Sequence, residues 1–177
     1  MKKIMIILMI IFLMLTTIVC AQTKKKENSL KYFDFELPVV NSTETLKLSN
    51  IVGKKLVLLN FWATWCPYCV REIPDLKNVY EKYKDKGLEI VAVNIGESSK
   101  EVTKFVEIKE IKYKVVLDQK TQVARMYGVR GIPTNFLIGL DGNVIFADYV
   151  MPDEKIIEEN LPKSPSPKPK KSKTERR

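Results

Sequence analysis

Residues 56–69 read LVLLNFWATWCPYC, an apolar run that leads into two cysteines. The continuous run Leu56–Trp62 is typical of a strand that is buried on both faces of a sheet. A helix is predicted to follow from about Pro67 to Lys84. Cys66 and Cys69 are therefore expected where a central strand ends and a helix begins.

The position of the two cysteines favours thiol–disulfide chemistry. The free N–H groups and partial positive charge of a helix N-terminus lower the pKa of a thiol, so we predict that Cys66 is the nucleophile. Cys69 lies three residues on, within disulfide distance, and is predicted to resolve a mixed disulfide by attacking Cys66. The alternatives are half of a metal site and a structural disulfide. A metal site would need further ligands, which are lacking. A structural disulfide is disfavoured because a CxxC loop is too short to constrain much of the chain.

The composition excludes several classes of site. The chain has 177 residues, no histidine and three cysteines, which excludes Ser-His-Asp and Cys-His catalysis, HExxH zinc sites and Cys₄ clusters. We expect no bound cofactor, since the two cysteines themselves carry the electrons. Of the net charge of +9, the leader and residues 24–27 each contribute two and residues 163–177 contribute six, which leaves −1 for residues 28–162. Such a nearly neutral body is not expected to bind nucleic acid.

Residues 1–21 are predicted to be a signal peptide or an N-terminal membrane anchor. Two lysines precede an apolar stretch, residues 4–19, whose core is about 12 residues long and short for a membrane span. Three ways of processing this segment remain open: cleavage after Ala21, lipidation of Cys20, and retention as an uncleaved anchor. Membrane association would then occur through residues 4–19 or a lipidated Cys20. Each of the three places residues 30–161 in a periplasmic or other extracytoplasmic compartment.

The rest of the chain divides into a linker, one domain and a tail. Residues 22–29 are a polar linker, and residues 162–177 are a Pro/Lys/Ser-rich basic tail that is predicted to be disordered. Residues 30–161 form the domain, in which strands alternate with helices and a hairpin follows. This order predicts an α/β fold with a mixed sheet. The predicted strands are 32–37, 45–48, 56–62, 88–95, 113–117, 135–140 and 143–149, and the further helices are 98–110, 119–127 and 153–160.

Two motifs resemble a known family. Residues 61–69 (FWATWCPYC) resemble the active-site stretch of the thioredoxin superfamily, and the motif CxxCxxExPxL over residues 66–76 resembles its extracytoplasmic TlpA/ResA branch. Residues 131–134 (GIPT) match the superfamily's cis-proline loop, and residues 94–118 are similar to an additional strand–helix unit of the ResA type. The resemblance covers about residues 30–160. It implies a thioredoxin-like fold, in which helices flank a central mixed sheet, with an N-terminal β-hairpin and a central strand–helix insert.

The resemblance also implies a third catalytic residue, Glu72. A partly buried carboxylate there would have a raised pKa and could take the proton of Cys69. The alternative is a solvated helix charge. Classical thioredoxins carry a buried acid six residues before the first cysteine, whereas this chain has Asn60, which cannot titrate. This departure favours Glu72 as the group that handles the proton.

The surface that contacts the partner protein is implied in the same way. Pro133 is expected to be cis and to lie opposite the dithiol, which leaves the Ile132 backbone free to pair with an extended segment. Trp65 is expected to shield the thiols, and Pro67 and Tyr68 complete the predicted contact surface. Tyr68 also leaves the redox direction open, because the two residues between the cysteines affect thiolate stability.

The predicted function is an extracytoplasmic thiol–disulfide oxidoreductase that reduces disulfides in partner proteins. The family implies cytochrome c maturation as one target. The electron donor is expected to be a membrane thiol carrier. One alternative is a disulfide oxidant or isomerase. Another is a surface-binding module in which the basic tail does the binding. A peroxiredoxin is disfavoured, because Ala63 occupies the Thr/Ser position of the peroxidatic TxxC motif.

Overall fold

The computed structural model describes residues 30–163. The leader (1–21), the linker (22–29) and the tail after residue 163 lie outside the described residues. Within residues 30–163, no helix is long and apolar enough to cross a membrane. The elements are β1 Glu36–Pro38, β2 Thr45–Lys47, β3 Leu56–Trp62, α1 Pro67–Tyr83, β4 Leu88–Ile95, α2 Ser99–Ile108, β5 Lys114–Asp118, α3 Gln122–Met126, β6 Thr134–Ile138, β7 Val144–Asp148 and α4 Glu154–Asn160.

The main sheet has five strands in the order β5-β4-β3-β6-β7. Strands β3, β4 and β5 are parallel, whereas β6 is antiparallel to β3 and β7 is antiparallel to β6. Strands β1 and β2 form a separate antiparallel hairpin. The Val40 N–H donates to the Val115 carbonyl at 2.9 Å and so attaches this hairpin to β5. The arrangement confirms the predicted mixed sheet, N-terminal hairpin and central insert, which comprises α2 and β5.

Strand β3 lies at the centre of the core, and all seven of its residues are buried. Because successive side chains point to opposite faces, Leu56 and Leu58 pack in the cluster that includes α1 and α4. Val57, Leu59 and Phe61 pack in the cluster on the other face. Burial on both faces explains why the sequence of β3 is apolar at every position except Asn60. It also fixes the position of the carboxyl end of the strand, and the two cysteines follow this end in the sequence.

The first predicted strand, 32–37, is shorter in the structure and begins only at Glu36. The preceding backbone has other partners. The Tyr32 N–H donates to the Gly142 carbonyl at 3.1 Å, and the Asp34 carboxylate accepts from the N–H groups of Phe35 and Ser49. These bonds pair the segment with residues outside β2, and the regular ladder with β2 covers only Glu36–Pro38.

Helix α3 is also shorter than the predicted 119–127. Thr121, which precedes it, has a left-handed backbone with φ of 55°. The buried Asp118 carboxylate accepts from the N–H groups of Gln122 and Ala124, each at 2.8 Å. The helix therefore begins at Gln122, where a side chain satisfies its first free donors.

We expect Asp118→Asn to lower the free energy of unfolding by about 1–3 kcal/mol, since one accepting oxygen becomes an N–H donor that faces a buried N–H. Urea denaturation followed by circular dichroism measures the change. Asp153→Asn is the matched control, because Asp153 precedes α4 without a side-chain capping bond. A change there is expected to stay within about 0.5 kcal/mol. Equal effects of the two substitutions would contradict the capping role of Asp118.

Candidate active site

The two cysteines form a disulfide at the start of α1. Their Cα atoms are 5.3 Å apart, and both side chains are buried, with exposed fractions of 3% for Cys66 and 2% for Cys69. Cys66 is the N-cap of α1, and Pro67 is the first helical residue. The Cys69 N–H donates to the Sγ atom of Cys66 at 3.2 Å. The same bond and the helix N-terminus favour a thiolate at Cys66 once the disulfide is reduced.

The loop before β6 lies against the disulfide. The Ile132–Pro133 peptide bond is cis. The Ile132 carbonyl oxygen lies 3.6 Å from the Sγ atom of Cys66. The Thr134 hydroxyl donates to the Gly131 carbonyl at 2.6 Å, which braces the loop from within. The loop predicted to face the dithiol therefore does so through its backbone.

Glu72 lies one turn after Cys69 on α1 and is half-buried. The Asn60 amide donates to its Oε2 atom at 3.0 Å, and the Asn135 amide donates to its Oε1 atom at 2.9 Å. Burial raises the pKa of Glu72 to about 7, although the bonds from Asn135 and Asn60 lower this pKa and the nearby charge of Asp75 raises it. The carboxyl group thus changes its charge near neutral pH.

Asn135 was not among the predicted site residues. It faces Asn60 directly across the β3–β6 ladder, and the Asn60 amide also donates to the Asn135 Oδ1 atom at 2.8 Å. Both asparagines are buried, Asn60 in an otherwise apolar strand and Asn135 next to Thr134 in β6. A buried carboxamide in an apolar strand is the signal that identifies such a residue, since its polar atoms require internal partners.

Glu97 is a second residue that the sequence analysis missed. Its carboxylate accepts from the Thr64 N–H at 2.7 Å, from the Thr64 hydroxyl, and from the Asn94 amide at 2.6 Å. These bonds join the segment between β3 and Cys66 to the end of β4. Glu97 therefore positions the backbone that leads into the disulfide.

The surface around the disulfide carries exposed aromatic side chains. Trp65 is 69% exposed and Tyr68 is 68% exposed. The Arg71 guanidinium lies 4.4 Å from the centre of the Tyr68 ring. Beside them runs a cavity of about 660 Å³, the Glu72 groove, which is open to the surface. Its lining includes Tyr68, Glu72, Asp75, Ile132, Tyr149 and Val150.

Residues 30–163 contain no candidate metal site. No group of three or more His, Cys, Asp or Glu side chains among them is arranged to hold a metal ion. The reactive groups that the structure brings together are the two sulfur atoms and the nearby Glu72 carboxyl group.

Sequence comparisons show how this chain relates to known proteins. The profile of the AhpC/TSA family matches residues 30–147. The thiol-disulfide oxidoreductase ResA of Bacillus subtilis is 45% identical over 100 residues, which cover 56% of this chain and 55% of that protein. ResA of Bacillus thuringiensis is 42% identical over 100 residues, 56% of this chain and 57% of that protein. The match thus spans little more than half the length of these curated relatives.

Solved structures have the same fold. The provisionally named thiol:disulfide interchange protein DsbE of Chlorobium tepidum aligns with a TM-score of 0.66 and 35% identity, covering 75% of this chain and 93% of that one. StoA of Bacillus subtilis aligns with a TM-score of 0.61 and 23% identity, covering 72% and 95%, and shows the fold alone. Because the family profile covers more than half of the chain, and the CxxC pair and cis-proline loop are both in place, this protein belongs to the AhpC/TSA family and is a ResA-like member of the thioredoxin superfamily.

Proposed function

We propose that the protein is an extracytoplasmic protein-disulfide reductase that works through Cys66 and Cys69. The observation that carries the proposal is the Cys66–Cys69 disulfide at the N-terminus of α1, 3.6 Å from the Ile132 carbonyl of the cis-proline loop. The names of the relatives support thiol–disulfide exchange as the reaction.

The exchange takes two steps from the reduced protein. The Cys66 thiolate attacks one sulfur of a partner disulfide, so that an intermolecular disulfide forms and one partner thiolate leaves. The Cys69 sulfur then attacks the Sγ atom of Cys66. This step closes the Cys66–Cys69 disulfide and releases the second partner thiolate. Two electrons pass from the dithiol to the partner, and a dithiol donor must reduce the protein again.

Glu72 handles a proton in the second step. Cys69 is buried and must lose its proton before its sulfur can attack. With a pKa of about 7, the Glu72 carboxyl is partly ionised at neutral pH and can accept that proton. The bonds from Asn60 and Asn135 orient the carboxylate for this role.

The partner protein is expected to bind across the exposed surface. Trp65, Pro67 and Tyr68 contact it on the side of α1, and Ile132 offers its backbone to an extended segment. Pro133 follows Ile132 through the cis peptide bond and is proposed to contact the same segment. The two exposed aromatic rings supply apolar contact area next to the buried sulfur atoms.

The cellular setting is proposed from the sequence. The leader, residues 1–21, would export the domain or anchor it to the membrane, and residues 22–29 would link the leader to the domain. A membrane thiol carrier would then supply the electrons. Cytochrome c maturation is the target that the resemblance to the ResA type favours.

The reduction potential tests the direction of electron flow. The full-length chain with Cys20→Ser, equilibrated against defined thiol buffers, is expected to give a value near or below about −240 mV, as for reductases. A value above roughly −180 mV would contradict the proposal and assign the protein to disulfide oxidants and isomerases. In that case Tyr68→Pro would test whether the residue between the cysteines sets the potential.

A further inference from the structure

A second groove is lined by Trp65 and adjoins the Glu72 groove at Gly131 and Ile132. It has a volume of about 470 Å³ and is open to the surface. We call it the basic groove, because two arginines line it. Its lining includes Trp65, Ile95, Thr121, Arg125, Arg130 and Ile132.

The guanidinium groups of this groove have no acidic partner among residues 30–163. Arg125 is held by bonds to the Thr121 hydroxyl at 2.6 Å and to the Lys120 carbonyl at 2.8 Å, both neutral acceptors. No salt bridge within residues 30–163 includes Arg125 or Arg130. Arg125 is thus oriented in part by neutral groups, and both positive charges remain available to a ligand.

The acidic residues closest in sequence to the groove are already engaged. The Asp118 carboxylate accepts from two backbone N–H groups at the start of α3. The Glu97 carboxylate accepts from Thr64 and Asn94. Both carboxylates serve the fold, and neither forms a salt bridge with the arginines.

The basic groove meets the reacting sulfur at the cis-proline loop. Gly131 and Ile132 line both grooves, so the loop forms the ridge between them. The Ile132 carbonyl lies 3.6 Å from the Cys66 Sγ atom, and Arg130 precedes this ridge by one residue. An extended chain that pairs with Ile132 therefore extends into the basic groove within a few residues of its own disulfide.

We propose that the basic groove binds the carboxylate side chains of partner polypeptides, so that the protein prefers disulfides flanked by Asp or Glu. The proposal rests on the disulfide-reductase function above and adds the class of partner. The charges favour the basic groove as the site of a carboxylate, since its lining contains two arginines and no acidic residue, whereas the Glu72 groove is lined by Arg71 together with Glu72 and Asp75. Arginine also suits the task, because its guanidinium binds carboxylates through two parallel bonds.

The test measures exchange rates of the reduced full-length chain carrying Cys20→Ser. Two disulfide-linked peptide dimers serve as probes; they differ only in having glutamates or glutamines beside each cysteine. At low salt we expect the glutamate dimer to react about tenfold faster. The preference should vanish in Arg125→Gln/Arg130→Gln and shrink in about 1 M salt. In the double variant, the rate with the glutamate dimer should fall by a larger factor than the rate with the glutamine dimer.

Lys54→Gln/Lys114→Gln is the matched control, because it removes two charges that do not line the basic groove, one before β3 and one at the start of β5. We expect it to keep most of the preference for the glutamate dimer. Equal rates of the two dimers with the unsubstituted arginines, or a preference that survives in the arginine double variant, would overturn the proposed groove specificity while the reductase function stands. Failure to react with either dimer would instead overturn the reductase function.

Discussion

Cys66→Ser is expected to abolish disulfide reduction, with a loss of at least about 10³-fold in the rate of insulin-disulfide cleavage. The serine hydroxyl stays protonated near neutral pH, whereas the helix N-terminus and the Cys69 N–H stabilise a thiolate at this position. Turbidity of the released insulin chains measures the rate. Thermal unfolding of the variant and of the reduced wild-type chain shows whether the fold is kept.

Cys69→Ser is the informative companion variant. It keeps the nucleophile but cannot close the Cys66–Cys69 disulfide, so the intermolecular disulfide should accumulate. Non-reducing gel electrophoresis would then show a covalent one-to-one adduct with a disulfide-bonded partner. If Cys66→Ser retained the wild-type rate, or if the adduct accumulated in Cys66→Ser rather than in Cys69→Ser, the assigned roles would be wrong.

Glu72→Gln is expected to slow the resolving step by about 10²-fold near pH 7 and to remove its pH dependence there. In the wild type the rate should rise as pH increases through about 7, since only the ionised carboxylate accepts the Cys69 proton. In the variant this rise disappears, and the remaining pH dependence follows the Cys69 thiol alone. Stopped-flow release of the second thionitrobenzoate from an aromatic disulfide reports this step between about pH 5.5 and about pH 8.5.

Substitutions of two neighbours of Glu72 serve as controls, because they are expected to shift the pKa of Glu72 in opposite directions. Asn135→Ala removes a hydrogen bond that stabilises the carboxylate, so the pKa of Glu72 and the midpoint of the profile should rise by about one pH unit. Asp75→Asn removes a like charge, so the midpoint should fall. Midpoints that do not move in either variant, together with an unchanged profile in Glu72→Gln, would assign the pH dependence to the thiols.

The main strands and helices were predictable because the patterns that indicate them involve residues that are neighbours in the sequence. The apolar run of β3 and the run of β4 match the structure to the residue, and α1 ends one residue before the predicted end. Predictions differ where a hydrogen bond from the backbone to a carboxylate side chain competes with the pattern of apolar residues. The Asp34 carboxylate accepts from the Ser49 N–H, and β1 begins later than predicted. The Asp118 carboxylate accepts from the Gln122 N–H, which sets the start of α3.

Part of the site followed from the sequence as well. Cys66, Cys69 and Glu72 lie within seven residues on one helix, so their spacing alone places them on neighbouring turns. The motif around Pro133 implied a cis bond facing the dithiol, and the structure has that bond in that place. The roles of these residues remain proposals that the variants above test.

The sequence by itself determined the strand–helix junction that holds the two cysteines, because apolar periodicity and helix starts depend on neighbouring residues. Only the tertiary structure decided the surroundings of Glu72 and of the disulfide. Asn135 reaches Glu72 from 63 residues away through the pairing of β6 with β3, and Glu97 reaches Thr64 from 33 residues away. The pKa of a carboxyl group depends on its burial and on such bonds, and both arise only when distant strands pack together.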